Sequence, residues 1–207
     1  MNSKELRNHL GQSGIVPILP VQEVDAAVKL ADLLVEAGAP ALEILFRSPS
    51  APVALSAIKL RHPGLLVAAG TVLDRKGVDQ ALAAGADFLV SPALSPGLHA
   101  AVDARGAVLI PGVNTATEVQ VARELGYRFM KFYPAWDFGE RRLDEYASIY
   151  PDVGFLVTGH VLPQMLAGFA ALRNVVALGG TWMNSTEGAA GLSADIQTVR
   201  SARIGQG

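Results

Sequence analysis

Eight short apolar runs, their regular alternation with helix-like segments, and an interior-rich composition predict a (β/α)8 TIM barrel preceded by a short N-terminal helix. The alternation implies parallel strands joined by right-handed crossovers. Half of the 207 residues are hydrophobic and 17% are charged, as expected where helices cover strands buried on both faces. The rival is an open doubly wound sheet. No G-x-G-x-x-G follows the first run, which weakens that rival. The chain shows no linker, charge block or low-complexity segment, so residues 1–207 read as one barrel domain.

The elements follow in order. "MNSKELRNHLGQSG" (1–14) is polar and reads as a short helix, without the apolar core of a signal peptide. "GIVPILPV" (14–21) is the first strand, and "DAAVKLADLLVEAG" (25–38) is a helix with glycine at its end, a common stop signal. "ALEILF" (41–46) and "LLVAAGTV" (65–72) are the second and third strands. The helical "GVDQALAAGA" (77–86) leads into "ADFLVSPA" (86–93). "AVLIPGV" (107–113) is the fifth strand. The helix "TATEVQVARELG" (115–126) follows, with Thr115 or Thr117 as cap for the turn entering at Glu118. "RFMKFYPA" (128–135), "VGFLVTGH" (153–160) and "NVVALGGTW" (174–182) complete the set.

Composition removes several function classes. The net charge of -2 gives no footprint for nucleic acid or an anionic membrane, and no apolar run reaches the length of a membrane span. There is no cysteine, so disulfides, thiol catalysis and cysteine-held metals are excluded. His9, His62 and His99 are scattered without metal-ligand spacing, so no metal is expected. The default setting is soluble and cytoplasmic.

In a barrel of this kind the chemistry sits where the strands end at their C-terminal face. Lys131 lies in the middle of the apolar run "RFMKFYPA", where an unpaired ammonium is costly. Glu43 in the second strand is its natural partner across the interior. The pair has a bland alternative, a buried ion pair that merely satisfies both charges. The other lysines, Lys4, Lys29, Lys59 and Lys76, fall in helical or polar segments, where a solvated face explains them. A desolvated lysine supplies a neutral amine, which attacks ketones to give a Schiff base. The iminium then withdraws electrons from the adjacent carbon–carbon bond while a carboxylate moves protons. Lys131 and Glu43 would supply both parts of a class I aldolase.

Arg47, on the same strand face as Glu43 if the strand runs that far, suits a keto-acid carboxylate through two parallel hydrogen bonds. Its alternative is a surface salt bridge. Thr71 offers a hydroxyl to the same carboxylate or is a simple turn residue. The ends of the seventh and eighth runs suggest an anion site. Gly179 and Gly180 would let an anion approach the backbone and Thr181 adds a hydroxyl, although a tight turn also needs glycine.

Beyond these residues, the chain from about Gly14 to Met183 resembles the family of 2-keto-3-deoxy-6-phosphogluconate (KDPG) and 4-hydroxy-2-oxoglutarate (KHG) aldolases. The carriers are "LEILFRS" (42–48), "AAGTVL" (68–73), "LVSPAL" (89–94), "IPGVNTATE" (110–118), "KFYPA" (131–135), "TGH" (158–160) and "LGGTW" (178–182), in that order and spacing. The resemblance implies a metal-free class I barrel, commonly a homotrimer, with Lys131 as Schiff-base lysine and Glu43 as general acid/base. It puts Arg47 and Thr71 on the pyruvate carboxylate. It places Tyr133, Pro92 and Thr158 along the pocket, and Gly159, His160, Gly179, Gly180 and Thr181 at the distal, phosphate-binding end.

Three departures stand out. His160 replaces the second glycine of the family's Thr-Gly-Gly. Thr181 replaces a serine. "WDFGERR" (136–142) replaces a small, glycine-rich stretch, so that Trp136 narrows the mouth. His160 admits three readings: a phosphate ligand, a side chain that fills the phosphate pocket and selects a substrate without phosphate, or a neutral loop residue. If the position needs a positive φ, histidine is less comfortable there than glycine.

The expected reaction is cleavage of a 2-keto-3-deoxy sugar acid to pyruvate and an aldehyde such as glyceraldehyde 3-phosphate. The alternatives are a non-phosphorylated 2-keto-4-hydroxy acid giving pyruvate and glyoxylate, a sugar-phosphate isomerase or epimerase using the same pair without a covalent adduct, and a non-catalytic binding barrel.

Overall fold

The computed structural model of the chain describes residues 1–136 and 139–204. The described residues form nine parallel strands: β1 (Ile15–Pro20), β2 (Ala41–Leu45), β3 (Leu66–Gly70), β4 (Phe88–Val90), β5 (Leu109–Ile110), β6 (Gly112–Val113), β7 (Phe129–Phe132), β8 (Gly154–Val157) and β9 (Val175–Gly180). Their order is β5-β4-β3-β2-β1-β9-β8-β7-β6. Strands β5 and β6 flank Pro111, which has no N–H to give to a ladder. They are two halves of the fifth apolar run. β5 pairs with β4 and β6 with β7, so the ladder goes round eight positions and the barrel closes. The Lys131 N–H donates to the Pro111 carbonyl at 2.8 Å, which carries the ladder across the break.

Helices α1 (Ser3–Ser13), α2 (Val24–Glu36), α3 (Ser50–Arg61), α4 (Arg75–Ala83), α5 (Pro96–Asp103), α6 (Ala116–Glu124), α7 (Gly139–Ile149), α8 (Leu166–Ala170) and α9 (Thr186–Ile204) complete the described residues, with a short 3-10 turn at Pro163–Met165. None is long and apolar enough to cross a membrane. Thr115 is the cap chosen for α6, in a capping box with Glu118.

Two apolar layers hold the barrel together. Outward residues such as Leu42, Ile44, Met130, Phe132 and Phe155 pack under the helices. Inward residues Val16, Ala41, Ala68, Phe88, Phe129 and Leu156 fill the lower interior. Leu6 and Leu10 of α1 join that inner cluster, so α1 plugs the N-terminal end of the barrel. Its start is fixed by a capping box between Asn2 and Glu5. Each fully buried leucine contributes about 1.5–3 kcal/mol by burial.

The strand period of two sets what faces inward. Ala41 is inside, and Glu43 stands one layer above it on β2. Phe129 is inside, and Lys131 stands above it on β7. In the closed order, β2 and β7 lie four positions apart in either direction, on opposite walls. The two charged residues therefore reach toward each other across the barrel.

Lys59 corrects one expectation. It is half-buried, and its ammonium joins Asp87 at 2.8 Å and the Leu65 carbonyl at 3.0 Å, tying α3 to the segments around β3 and β4.

Candidate active site

Lys131 is 6% exposed and Glu43 is fully buried. Lys131 Nζ donates to Glu43 Oε1 at 3.3 Å and lies 5.3 Å from the centre of the Tyr133 ring. The ring face is a favourable neighbour for an ammonium. Glu43 Oε2 is buried without a hydrogen-bond partner among the described residues, and so is Thr158 Oγ1 on the β8 end. A carboxylate with one oxygen engaged by the amine and the other unpaired suits proton transfer better than a saturated structural ion pair does.

Gly70 makes room for this carboxylate. A Cβ at position 70 would lie 2.2 Å from Glu43 Oε1. Gly70→Ala is therefore expected to displace Glu43, lowering stability by about 1–3 kcal/mol and turnover along with it. Thermal melts and initial rates would check this, and an unchanged rate would mean that Glu43 need not hold this position. Gly112 has a matching role on the opposite side, since its Cβ would fall 2.2 Å from the Pro92 backbone. Pro92 thus closes against the lysine strand, where β6 pairs with β7 at Lys131.

β2 ends at Leu45, so Arg47 lies beyond the strand in the following turn rather than on its inward face. Its guanidinium still reaches the site: Nε donates to Thr71 Oγ1 at 3.0 Å. Thr71 follows β3 with φ of 62°, rare for a β-branched residue. Such strain, of order 1–3 kcal/mol, clusters where side chains are held for function. Arg47 and Thr71 form one polar unit at the mouth.

At the other rim, Thr158 is buried while His160 and Thr181 are exposed. Gly159 has φ of 93°, and a Cβ there would lie 2.9 Å from both Tyr133 and Pro134, so this glycine is required. His160 also has a positive φ, 57°. Its ring meets Trp136 edge-on at 6.2 Å, and Trp136 is 62% exposed. Trp136 thus stands beside His160 at the rim, while Asp137 and Phe138 of the same stretch lie outside the described residues. Gly179 faces Thr158 and Ile18, and Gly180 is covered by the Trp182 indole, which donates to Asp195 at 2.8 Å.

The sequence suggests no role for Asn114 within "IPGVNTATE", and the structure supplies one. Its Nδ2 donates to the Pro134 carbonyl at 3.0 Å, its Oδ1 accepts from Arg142, and its carbonyl accepts from the Tyr146 hydroxyl. It fixes the segment that follows the lysine strand. A short polar residue between an apolar run and a helix cap was the available signal. Among the described residues no three His, Asp or Glu side chains cluster as a metal site.

The chain is similar to known proteins over most of its length. A family model described as "KDPG and KHG aldolase" matches residues 6–200. A 2-dehydro-3-deoxy-phosphogluconate aldolase of Treponema pallidum is 37% identical over 170 residues, 82% of this chain and 81% of its own length. The solved 2-keto-3-deoxy-6-phosphogluconate aldolase of Zymomonas mobilis ZM4, with 3-phosphoglycerate, is 31% identical with a TM-score of 0.86, covering 93% of this chain and 95% of that one. A KDPG aldolase of Legionella pneumophila, with pyruvate captured as a covalent carbinolamine, is 29% identical with a TM-score of 0.83, covering 95% of this chain and 97% of that one.

Proposed function

Because this chain belongs to the KDPG and KHG aldolase family and is a class I pyruvate aldolase, we propose that Lys131 is its Schiff-base nucleophile and Glu43 its general acid/base. The observation that carries this reading is the buried contact of 3.3 Å between Lys131 Nζ and Glu43 Oε1 at the C-terminal end of the strands.

The substrate is a 2-keto-3-deoxy sugar acid of the KDPG type. Arg47 and Thr71 hold its carboxylate, with the planar guanidinium matching the two oxygens. The neutral amine of Lys131 adds to the C2 ketone. Loss of water gives the iminium, with Glu43 shuttling the protons. Glu43 then accepts the C4 hydroxyl proton. The C3–C4 bond breaks, and its electron pair flows into the iminium to give an enamine and a free aldehyde. Glu43 returns a proton to C3. Water adds to the resulting iminium, releasing pyruvate and Lys131, so the water lost on entering the cycle is regained. Thr158, Tyr133 and Pro92 line the pocket, and Gly159, His160, Gly179, Gly180 and Thr181 border its distal end. For KDPG itself the aldehyde is glyceraldehyde 3-phosphate. A homotrimer in the cytoplasm belongs to the same proposal.

Incubation with pyruvate and borohydride, followed by intact-mass and peptide analysis, tests the assignment. A reduced pyruvyl adduct on Lys131 is the expected outcome. An adduct on another lysine would move the nucleophile. No adduct, under conditions that label another class I aldolase, would sink the covalent mechanism and favour an isomerase or epimerase using the same pair.

A further inference from the structure

We propose that the distal end of this pocket is built for an uncharged terminus, so that the preferred substrate is a 2-keto-3-deoxy sugar acid without a phosphate. The proposal rests on the aldolase reading of Lys131 and Glu43 and concerns only the end of the pocket remote from them.

A phosphate at this rim needs open backbone N–H groups in the loops after β8 and β9. Three observations oppose that. First, residue 160 has the left-handed conformation that glycine adopts freely, yet it carries an imidazole. A loop that served only to expose backbone would be relieved by glycine there.

Second, the His160 ring extends toward the segment after β7 and meets Trp136 edge-on at 6.2 Å. Tyr133 packs close to Gly159 beside it. The rim between the two loops is thus an aromatic wall, which suits the C–H face of a polyol better than a dianion. Its indole N–H and imidazole are groups that bond hydroxyls, and among the described residues neither has a hydrogen-bond partner.

Third, the first turn of α9, which follows the β9 loop, already engages two of its N–H groups from within. Ser185 Oγ accepts from the Gly188 N–H at 3.0 Å. The Glu187 carboxyl is held below its ordinary range by its own backbone N–H and by the Ser185 hydroxyl. A phosphate approaching that turn would meet a carboxylate. Residues 157–165 and 178–188 contain no lysine or arginine to offset it.

The test is kcat/KM for KDPG and for its unphosphorylated counterpart, in the wild type and in His160→Gly, with pyruvate–borohydride labelling of every sample. The wild type is expected to favour the unphosphorylated acid. His160→Gly is expected to raise kcat/KM for KDPG by roughly 10-fold or more, the scale of a relieved pocket contact, and to lower it for the other acid, whose hydroxyls lose the imidazole. His160→Asn, which tolerates the same backbone with a smaller side chain, should fall between them and serves if the glycine variant folds poorly. A wild type that favours KDPG by 10-fold, or a His160→Gly variant that loses KDPG cleavage, would overturn the proposal and make His160 a phosphate ligand. Loss of the pyruvate adduct in the wild type would instead overturn the underlying aldolase assignment, and this proposal with it.

Discussion

Lys131→Met is expected to fold and to lose carbon–carbon bond cleavage by at least about 10⁴-fold, because among the described residues no other lysine lies at the site. Methionine keeps the length and flexibility of the lysine stem, so the lining formed by Tyr133 and the β6 backbone stays filled. The variant leaves Glu43 buried without its amine. Breaking a buried pair from one side costs about 3–5 kcal/mol when the remaining charge stays ionised. The melting temperature should therefore fall, and stability should recover when Glu43→Gln is added, while activity should not. Rates, melts and borohydride labelling of the single and double variants separate these effects. Retained cleavage by Lys131→Met would refute the nucleophile assignment outright.

Glu43→Gln should reduce turnover by about 10²–10⁴-fold, the usual worth of a positioned general acid/base. The amide matches the carboxylate in shape, so Gly70 still accommodates it. Its signature differs from that of the lysine variant. The amine remains, so a pyruvyl adduct should still form, but more slowly. Exchange of the pyruvate methyl protons with deuterium, which reports the enamine step directly, should slow by a similar factor. Near-normal exchange would mean that another group moves the proton at C3, and the buried Thr158 hydroxyl would then be the first to mutate.

The barrel was legible in the sequence because each apolar run is bounded by glycine, proline or a polar cap, and because strand and helix periods alternate without interruption. The break at Pro111 was present in the letters, but only the pairing of β5 with β4 and β6 with β7 shows that it divides one strand between two neighbours. Lys131 and Glu43 were legible because charges inside apolar runs are rare and need a reason. Their meeting follows from the closed strand order, which composition does not carry. Arg47 would share the strand face of Glu43 only if the strand ran that far; β2 stops at Leu45 and the side chain arrives from a turn. The positive φ of Thr71 was invisible in sequence, since threonine normally avoids it. Lys59 was read as solvated because it falls in a helical segment, and Asp87, its partner, lies 28 positions away.

Helix α1 closes the floor of the barrel with Leu6 and Leu10, and this sets the traffic of the reaction. A site sealed from below has a single door. Substrate, both products and the hydrolytic water all pass the rim formed by Arg47, Thr71, Trp136 and His160. In the proposed cycle, once the C3–C4 bond breaks, the aldehyde is free while the three-carbon fragment is still bonded to Lys131. Water reaches that fragment by the route the aldehyde must first vacate. The order of departure is thereby fixed, aldehyde before pyruvate, and in the condensation direction pyruvate must be seated first.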